Sequence, residues 1–434
     1  MKTIPERFSK RQWDYLSKVE DSWFNVAEGG KRAGKNVVNV FAFCTLLETH
    51  PDTLFLIAGV TQGTARLNIL ECDGLGVYNY FNGRYKKSKY ENKDAIIVQT
   101  KVGTKVIIVA GGGKKGDEAI IKGNSFGMVY LTEANELTTE FINECFDRTI
   151  ASKNRKIFHD LNPKSPKHPY YTDILSFHEE KQRNNPSYGY NYGHFTLVDN
   201  YALSDEKIKE VLNTYNRNSV WYKRDVRGER IQAEGLVYEI IANNIDEMNV
   251  DEEYIKKIGI NKIIIGVDFG GNGSFHSFVA TGFNLSKKEI IVLASKRINA
   301  KGTSPVDLER EYILFTNYIT DKWGMAVSVR CDSAEQVLIQ GIINASHKNN
   351  CKAVIYNAIK GNIIDRIRFT TKMAVLGRLH FLKNTTRTLQ SALCNAVWDS
   401  KCLDDVRLDD GTTDIDSLDS FEYSFESEMR YLNM

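Results

Sequence analysis

Glu28 to Asn36 read Glu-Gly-Gly-Lys-Arg-Ala-Gly-Lys-Asn, and this stretch decides the fold that the sequence predicts. The apolar run Trp23 to Ala27 precedes it and the helix-like run Val37 to Leu47 follows it, so its glycines fall at a strand-to-helix turn. That context is typical of a phosphate-binding loop, in which backbone N–H groups surround a phosphate at a helix N-terminus. The stretch therefore predicts an α/β domain that binds a nucleotide.

Six residues of this loop are predicted to contact the nucleotide: Gly29, Gly30, Lys31, Gly34, Lys35 and Asn36. Gly29 and Gly34 occupy the glycine positions of the G-x-x-x-x-G-K pattern, and Lys35 would reach the β and γ phosphates. The pattern continues with Ser or Thr, whose hydroxyl binds Mg²⁺, whereas this chain has Asn36. We therefore predict that the loop binds ATP. The residues around the Mg²⁺ that accompanies the ATP are predicted to differ from those of the usual pattern.

Length and composition indicate how many domains the chain has and to which broad class of protein it belongs. The 434 residues predict two or three domains, and the hydrophobic share of 42% and charged share of 26% are those of a soluble globular protein. Seven cysteines without Cys-x-x-Cys pairs indicate reduced thiols in the cytoplasm, and no apolar run approaches the roughly 20 residues that span a bilayer. The net charge of +2 gives no general basic field for nucleic acid, and clusters such as Arg84 to Lys89 suit a solvated face equally well.

Other candidate nucleotide contacts lie on both sides of the loop. Gln12 falls in a predicted helix upstream, where its amide could read an adenine edge, although surface glutamines are common. Downstream, a buried strand ends at Thr132-Glu133; a P-loop ATPase places an Asp on the Mg²⁺ shell there, followed by a Glu that polarises water. Glu133 takes the second role and Thr132 occupies the first position. Asn162 ends another strand and would lie beside the γ phosphate, or it simply begins an Asn-Pro turn.

The second half of the chain predicts a different site, built from acids. One β-branched strand ends at Asp268, a short strand ends just before Asp332, and a C-terminal helix carries Asp416 and Asp419 one turn apart. Acids delivered in this way can bind two Mg²⁺ or Mn²⁺ ions, which clamp the oxygens of a phosphodiester displacement. Carboxylates also suit strand ends and helix N-termini for structural reasons alone.

Taken together, these patterns predict an α/β protein of three parts. Residues 1–185 form a P-loop ATPase domain with a central, mostly parallel sheet, residues 186–255 form a linker or subdomain, and residues 256–434 form a second α/β domain, which the family resemblance described next implies to be a ribonuclease H-like nuclease domain. The middle part is placed by its shift toward proline, tyrosine and asparagine.

The order of these parts resembles the large terminase subunit of tailed bacteriophages over nearly the whole chain. The most specific strings are Leu131 to Leu137 (LTEANEL) and Cys331 to Glu335 (CDSAE), with Asp419 to Tyr423 (DSFEY) following them. The resemblance implies an ATPase that drives double-stranded DNA into a procapsid and a two-metal endonuclease that cuts concatemeric DNA. It also implies a portal protein and a small terminase subunit as partners, a homo-oligomeric ring on the portal, and action in the host cytoplasm.

Carried over to this sequence, the resemblance implies that Lys35 binds phosphate and that Glu133 activates water. It also implies that Lys31 or Arg32 is the charged group near the γ phosphate, and the planar, permanently charged guanidinium favours Arg32. Asp268, Asp332 and Asp419 would be the nuclease acids. Asn36 and Thr132 depart from the pattern on the ATPase metal shell.

Two other functions remain open from the sequence. One is a DNA-binding packaging or scaffold protein whose ATP site has degenerated, as Asn36 and Thr132 would allow. The other is a helicase or repair-type ATPase-nuclease, although the chain has a single phosphate loop and no second motor domain.

Overall fold

The structure is a computed structural model that describes residues 8–217, 219–271 and 274–433. The chain divides into two compact units, one formed by Met1–Leu212 with Val220–Gln232 and the other by Asn213–Ser219 with Ala233–Met434. The first and last predicted domains include residues 1–7 and 434, which lie outside the described residues. In the part of the chain described, no helix is long and apolar enough to cross a membrane.

An eight-stranded sheet forms the centre of the first unit, in the order β3-β4-β5-β2-β6-β7-β1-β8. Its strands are β1 (Phe24–Gly29), β2 (Leu54–Gly59), β3 (Tyr85–Tyr90), β4 (Lys93–Thr100), β5 (Gly103–Gly111), β6 (Met128–Thr132), β7 (Lys156–Leu161) and β8 (Tyr190–Phe195). The pairs from β5 through β8 are parallel, whereas β3, β4 and β5 pair antiparallel at one edge. The predicted mostly parallel sheet is confirmed.

Burial on both faces explains the apolar runs of the central strands, such as Leu54 to Ala58 of β2 and Met128 to Leu131 of β6. Every residue of β1, β6 and β7 is buried, which is expected for parallel strands covered by helices on both sides. Neighbouring residues of β2 enter different cores: Ile57 packs in the cluster that contains Phe43, and Leu56 packs in the cluster that contains Phe141. The carboxyl ends of these strands are left to form one polar edge.

The helices of the first unit are α1 (Lys10–Leu16), α2 (Lys35–Leu47), α3 (Gln62–Ala65), α4 (Val77–Tyr80), α5 (Thr139–Thr149), α6 (Ser176–Asn184) and α7 (Asp205–Leu212). Residues 186–212, predicted to belong to a separate linker, lie in this unit because β8 pairs with β1 along its whole length. Residues 220–232 also lie in it.

A seven-stranded sheet forms the centre of the second unit, in the order β14-β13-β10-β11-β12-β15-β9. Its strands are β9 (Asn249–Val250), β10 (Lys262–Asp268), β11 (Phe275–Asn284), β12 (Glu289–Asn299), β13 (Val327–Cys331), β14 (Ala353–Asn357) and β15 (Leu379–Leu382). The first three long strands, β10 to β12, form the predicted antiparallel meander, and β13 and β14 continue the sheet parallel to β10. This is the ribonuclease H-like arrangement that the sequence predicted.

The helices of the second unit are α8 (Glu239–Asn244), α9 (Glu252–Ile258), α10 (Pro305–Trp323), α11 (Gln336–Lys348), α12 (Ile363–Val375), α13 (Arg387–Asn395), α14 (Ile415–Phe425) and α15 (Met429–Asn433). Leu418, Phe421 and Phe425 are buried on α14, as their helical spacing predicted. All seven cysteines of the chain are unpaired thiols.

Close backbone packing brings α14 onto the middle of β10. A Cβ atom at Gly266 would lie 1.7 Å from the backbone oxygen of Ser420, so no larger residue fits without moving the helix. This contact fixes the height of α14, and therefore of Asp416 and Asp419, over the carboxyl end of β10.

We expect Gly266→Ala to destabilise the second unit by about 1–3 kcal/mol, because the added methyl group overpacks a site bounded by backbone. Thermal and denaturant unfolding followed by circular dichroism measure the change. Gly271→Ala is the matched control, since a Cβ atom at Gly271 meets nothing within 4 Å. Equal melting of both variants and the native protein would contradict the proposed packing constraint.

Candidate nucleotide and metal sites

The predicted phosphate loop connects β1 to α2 in the strand-loop-helix order that the sequence indicated. Gly29 ends β1, Gly30 follows, and Gly34 caps the N-terminus of α2 in the left-handed region at φ 81°. Arg32, at the exposed turn of the loop, also has a positive φ of 59°. Such backbone conformations are uncommon outside glycine and concentrate at functional sites. The loop has the shape of an anion-binding turn at a helix N-terminus.

Lys35 is buried within this loop. Its Nζ donates to the backbone oxygen of Gly30 at 2.8 Å and to Oδ1 of Asn162 at 2.9 Å. Burial lowers the pKa of Lys35 to about 8, and the negative charge of Asp160 is the strongest influence against that shift. The structure thus brings the predicted phosphate-binding lysine and the strand-tip Asn162 together at the carboxyl edge of the sheet.

Gln12 also lies against the loop, but both ends of its amide bond to the protein. Its Nε2 donates to the backbone oxygen of Ala33 at 3.1 Å, and its Oε1 accepts from the backbone N–H of Ser9 at 2.9 Å in a capping box at the start of α1. The side chain therefore ties α1 to the phosphate loop. Its predicted role in reading adenine stays a prediction.

The two basic residues of the loop differ in what they contact. Nζ of Lys31 lies 3.6 Å from a carboxylate oxygen of Asp225, whereas Arg32 is held through its backbone, whose oxygen accepts from Asn200 at 2.7 Å. The guanidinium of Arg32 is exposed at the turn. This difference favours Arg32 over Lys31 for the charged group near the γ phosphate.

Asn36 and Thr132, the two departures from the ATPase pattern, contact each other. Nδ2 of Asn36 donates to Oγ1 of Thr132 at 3.3 Å, and Nδ2 of Asn68 donates to the same oxygen at 3.2 Å. The Thr132 hydroxyl in turn donates to Oδ1 of Asp160 at 3.0 Å. Sequence analysis missed Asn68 and Asp160. The available signal for Asp160 was a carboxylate two residues before Asn162 and close to the apolar pair Ile157-Phe158.

Glu133 follows β6 in a left-handed conformation, with φ 52° and ψ 46°. Its backbone N–H donates to Oδ1 of Asp160 at 3.2 Å. Burial raises the pKa of its carboxyl, and the nearby charge of Asp160 raises it further. A strained, half-buried acid beside a phosphate loop has the properties of a general base for water.

Glu28, the first residue of the quoted stretch, forms a buried cluster that the sequence did not reveal. Its carboxylate is fully buried and accepts from the hydroxyls of Tyr171 and Tyr192, each at 2.8 Å. Arg230 donates to the same carboxylate through Nε at 2.9 Å and Nη2 at 2.7 Å, and its guanidinium stacks on Tyr171. The cluster joins β1, β8 and the segment 220–232 immediately before the loop.

In the second unit, the predicted acids meet at the carboxyl ends of β10 and β13. Asp268 ends β10, and the backbone N–H of Asp332 donates to the oxygen of Val267 at 2.9 Å. Asp416 and Asp419 lie on α14, the helix that packs on β10. Burial, followed by the charges of Asp419, Asp416 and Asp332, raises the pKa of Asp268 to about 9. The structure therefore brings all four acids together.

Three of these acids already have partners. Lys360 forms an ion pair with Asp332, Nη2 of Arg407 donates to Asp419 at 2.6 Å, and the N–H of Phe275 donates to Asp416 at 2.8 Å. Among the described residues, no group of three or more His, Cys, Asp or Glu side chains is arranged to hold a metal ion as it stands. The donor chemistry fits hard divalent cations, which would replace the lysine and arginine charges.

Arg407 is part of a buried charge cluster that sequence reasoning missed. It donates through Nη1 to Glu422 at 2.7 Å, and Glu422 also pairs with Arg366 at 3.1 Å and accepts from the Tyr238 hydroxyl at 3.1 Å. Glu422 is fully buried, which explains why it is paired so completely. The cluster holds Arg407 next to Asp419.

The raised pKa of Asp268 predicts that metal binding at these acids releases a proton. Below a pKa of about 9 the carboxyl is protonated, so a cation has to displace its proton. We expect the Mn²⁺ affinity of the second unit to rise about tenfold per pH unit between pH 6 and pH 8. Titration calorimetry in two buffers of different ionisation enthalpy measures both the affinity and the proton release. A pH-independent affinity without proton release would contradict the assignment.

Comparison with known proteins identifies a family whose model matches the first half of the chain. The family described as terminase large subunit, T4likevirus-type, N-terminal, matches residues 26–244, just over half of the chain. No curated protein sequence matches this chain.

Solved structures match over nearly the full length. The large terminase of the thermophilic bacteriophage D6E has a TM-score of 0.73 at 19% identity, covering 96% of this chain and 98% of that one. The ADP complex of the D6E protein has a TM-score of 0.72 at 19% identity, with coverages of 97% and 99%. Its ATP-γ-S complex has a TM-score of 0.71 at 19% identity, with coverages of 96% and 99%. At this identity the matches show the fold.

The family match and the full-length fold match confirm the predicted α/β fold and the predicted family. The chain belongs to the terminase large subunit family.

Proposed function

We propose that this large terminase subunit hydrolyses ATP at the loop Glu28–Asn36 to move double-stranded viral DNA, and cuts concatemeric DNA at the acids around Asp268. One observation carries the proposal: Lys35, Asn162 and Glu133, far apart in sequence, meet at the carboxyl edge of one parallel sheet. That edge is where open α/β sheets bind their ligands.

In the ATPase unit, each residue is proposed for the role that its position suits. Lys35 would neutralise the β and γ phosphates, and Arg32 would contact the γ phosphate from the exposed turn. Glu133 would orient the attacking water and accept its proton, which its raised pKa favours. The oxygens of Asn36 and Thr132 lie where the Mg²⁺ that accompanies ATP would be held, and this metal would neutralise charge on the phosphates.

In the nuclease unit, Asp268, Asp332 and Asp419 are proposed as ligands of two Mg²⁺ or Mn²⁺ ions, with Asp416 beside them. Such a pair stabilises the attacking and leaving oxygens when a phosphodiester bond is cleaved. The close approach of three other acids to Asp268 supports this role. Lys360 and Arg407 hold two of the acids in place and lower the repulsion among them.

The partners follow from family membership and are part of the proposal. We infer a portal protein, a small terminase subunit and a ring of copies of this chain on the portal, acting in the cytoplasm of the host cell.

A second candidate function is a DNA-binding packaging protein with a degenerate ATP site. The observation that favours it is the Asn36–Thr132 hydrogen bond, which places an amide and a hydroxyl where the ATPase pattern has a hydroxyl and a carboxylate. Stoichiometric ATP binding with DNA-stimulated turnover would exclude this candidate.

Glu133→Gln is expected to lower the ATP turnover number by about 10²–10⁴-fold while nucleotide binding persists, because the amide cannot accept a proton. Lys35→Ala is expected to weaken nucleotide binding itself, since it removes the cation from the loop. Phosphate release and binding of a fluorescent ATP analogue separate the two effects. Glu140→Gln, an exposed acid in the first turn of α5, is the control. Native turnover by Glu133→Gln would refute the role of Glu133.

Asp268→Asn and Asp332→Asn are each expected to abolish Mn²⁺-dependent cleavage of plasmid DNA without lowering ATP turnover, because the two sites lie in different units. Gel assays of supercoiled DNA, together with ATP turnover on the same preparations, provide the measurement. Asp410→Asn changes an exposed acid of the same unit and serves as the control. Metal-dependent cutting that survives both substitutions would rule out these acids as the nuclease site.

A further inference from the structure

Asp160 is a buried carboxylate at the ATP site for which the proposed mechanism has no role so far. It lies next to last on β7 and pairs in parallel register with Thr132, the last residue of β6. Side chains at register partners of neighbouring parallel strands project to the same face of a sheet. A carboxylate therefore stands one strand away from position 132, where the ATPase pattern expects an acid.

The contacts of Asp160 are all made with neutral donors. Oδ1 accepts from the Thr132 hydroxyl at 3.0 Å and from the Glu133 N–H at 3.2 Å, and Oδ2 accepts from the Tyr130 hydroxyl at 2.6 Å. The side chain is 1% exposed. Lys35 is the positive charge that the electrostatics of the site couple to it most directly. Burial raises the pKa of Asp160, and the three hydrogen bonds together with the charge of Lys35 oppose that shift and favour the ionised carboxylate.

The hydroxyl of Thr132 links the Asp160 carboxylate to Asn36 of the phosphate loop. Because its single proton is donated to Asp160, its oxygen can only accept from other groups, and it accepts from Asn36 at 3.3 Å and Asn68 at 3.2 Å. A cation, or water bound to one, would take the place of one of these two amide donors at the Thr132 oxygen. The same carboxylate also accepts a hydrogen bond from the backbone N–H of Glu133. It therefore contacts both Thr132, at the proposed metal position, and Glu133, the residue proposed to activate water.

We propose that Asp160 is the positioning residue of the ATP-site magnesium shell, supplying from β7, through the Thr132 hydroxyl, the negative charge that is absent at position 132 of β6. This inference rests on the ATP site proposed above. On this proposal, Thr132 and Asn36 belong to a rearranged magnesium shell and not to a degenerate one. The acid of this shell lies on β7 instead of β6.

The test is a Mg²⁺ titration of nucleotide binding, with a fluorescent ATP analogue as the probe and EDTA as the metal-free reference. Asp160→Asn keeps the shape of the side chain and removes its charge. We expect the Mg²⁺ midpoint to rise at least about tenfold, as for other residues that orient metal ligands, while affinity in EDTA changes by less than about twofold. Competition of Mn²⁺ for the same site, followed by electron paramagnetic resonance, gives a second readout that does not depend on turnover.

The double variant Thr132→Asp/Asp160→Thr provides the decisive comparison. It moves the carboxylate to β6 and keeps both side chains in the same cross-strand pair, so we expect its Mg²⁺ midpoint to return to within about threefold of the native value. Tyr130→Phe is the matched control, because it removes one hydrogen bond to Asp160 and leaves the charge in place. Its midpoint should stay within about twofold of the native one.

The outcomes separate a metal-positioning role from a structural one. A native midpoint in Asp160→Asn, or a double variant that melts like the native protein yet binds Mg²⁺ no better than Asp160→Asn, overturns the inference. If Asp160→Asn does not fold, the double variant decides alone. Native protein that binds no nucleotide at any Mg²⁺ concentration overturns the proposed ATPase together with this inference, whereas native binding with an unshifted Asp160→Asn overturns this inference only.

Discussion

The burial of one ammonium group, that of Lys35, is the interaction on which the first unit depends. Its partners come from the loop itself, from Asn162 at the end of β7 and, through space, from the carboxylate of Asp160. A buried lysine without such partners would lose its proton or unfold its surroundings. The parallel order β6-β7-β1 is therefore what makes the loop possible, because it brings the polar ends of three strands to one place.

The second unit has the opposite charge imbalance, an excess of negative charge at its four acids. Four acids converge where α14 crosses β10, and their mutual repulsion is reduced by Lys360 and by Arg407. Arg407 is itself fixed by the buried Glu422. Breaking a pair of this kind leaves an unpaired buried charge, which costs about 3–5 kcal/mol. The four acids are thus embedded in a framework of charges that includes Lys360, Arg407 and Glu422.

Much of this organisation could be predicted from the sequence because its signals are local. The strand-loop-helix at Glu28–Asn36, the meander after Asp268 and the acids at strand tips all depend on neighbouring residues. Asp160, Arg230 and Arg407 could not be found in this way. Their roles depend on which strands lie side by side and in which register, and that information appears only once the sheet is assembled. Asp160 follows a short apolar run in β7, whereas Arg230 and Arg407 lie outside the named strands and have no comparable sequence signal.

The division of the chain between the two units has a practical consequence for dissecting the protein. Because residues 213–219 belong to the second unit and residues 220–232 return to the first, the backbone passes between the units three times. Arg230, the partner of the buried Glu28, lies in the returning segment. An ATPase fragment that stops at Leu212 would therefore leave a charge buried without its counterion beside the phosphate loop. A fragment that keeps this ion pair has to include residues 220–232, so the boundary is set by an ion pair rather than by the last strand.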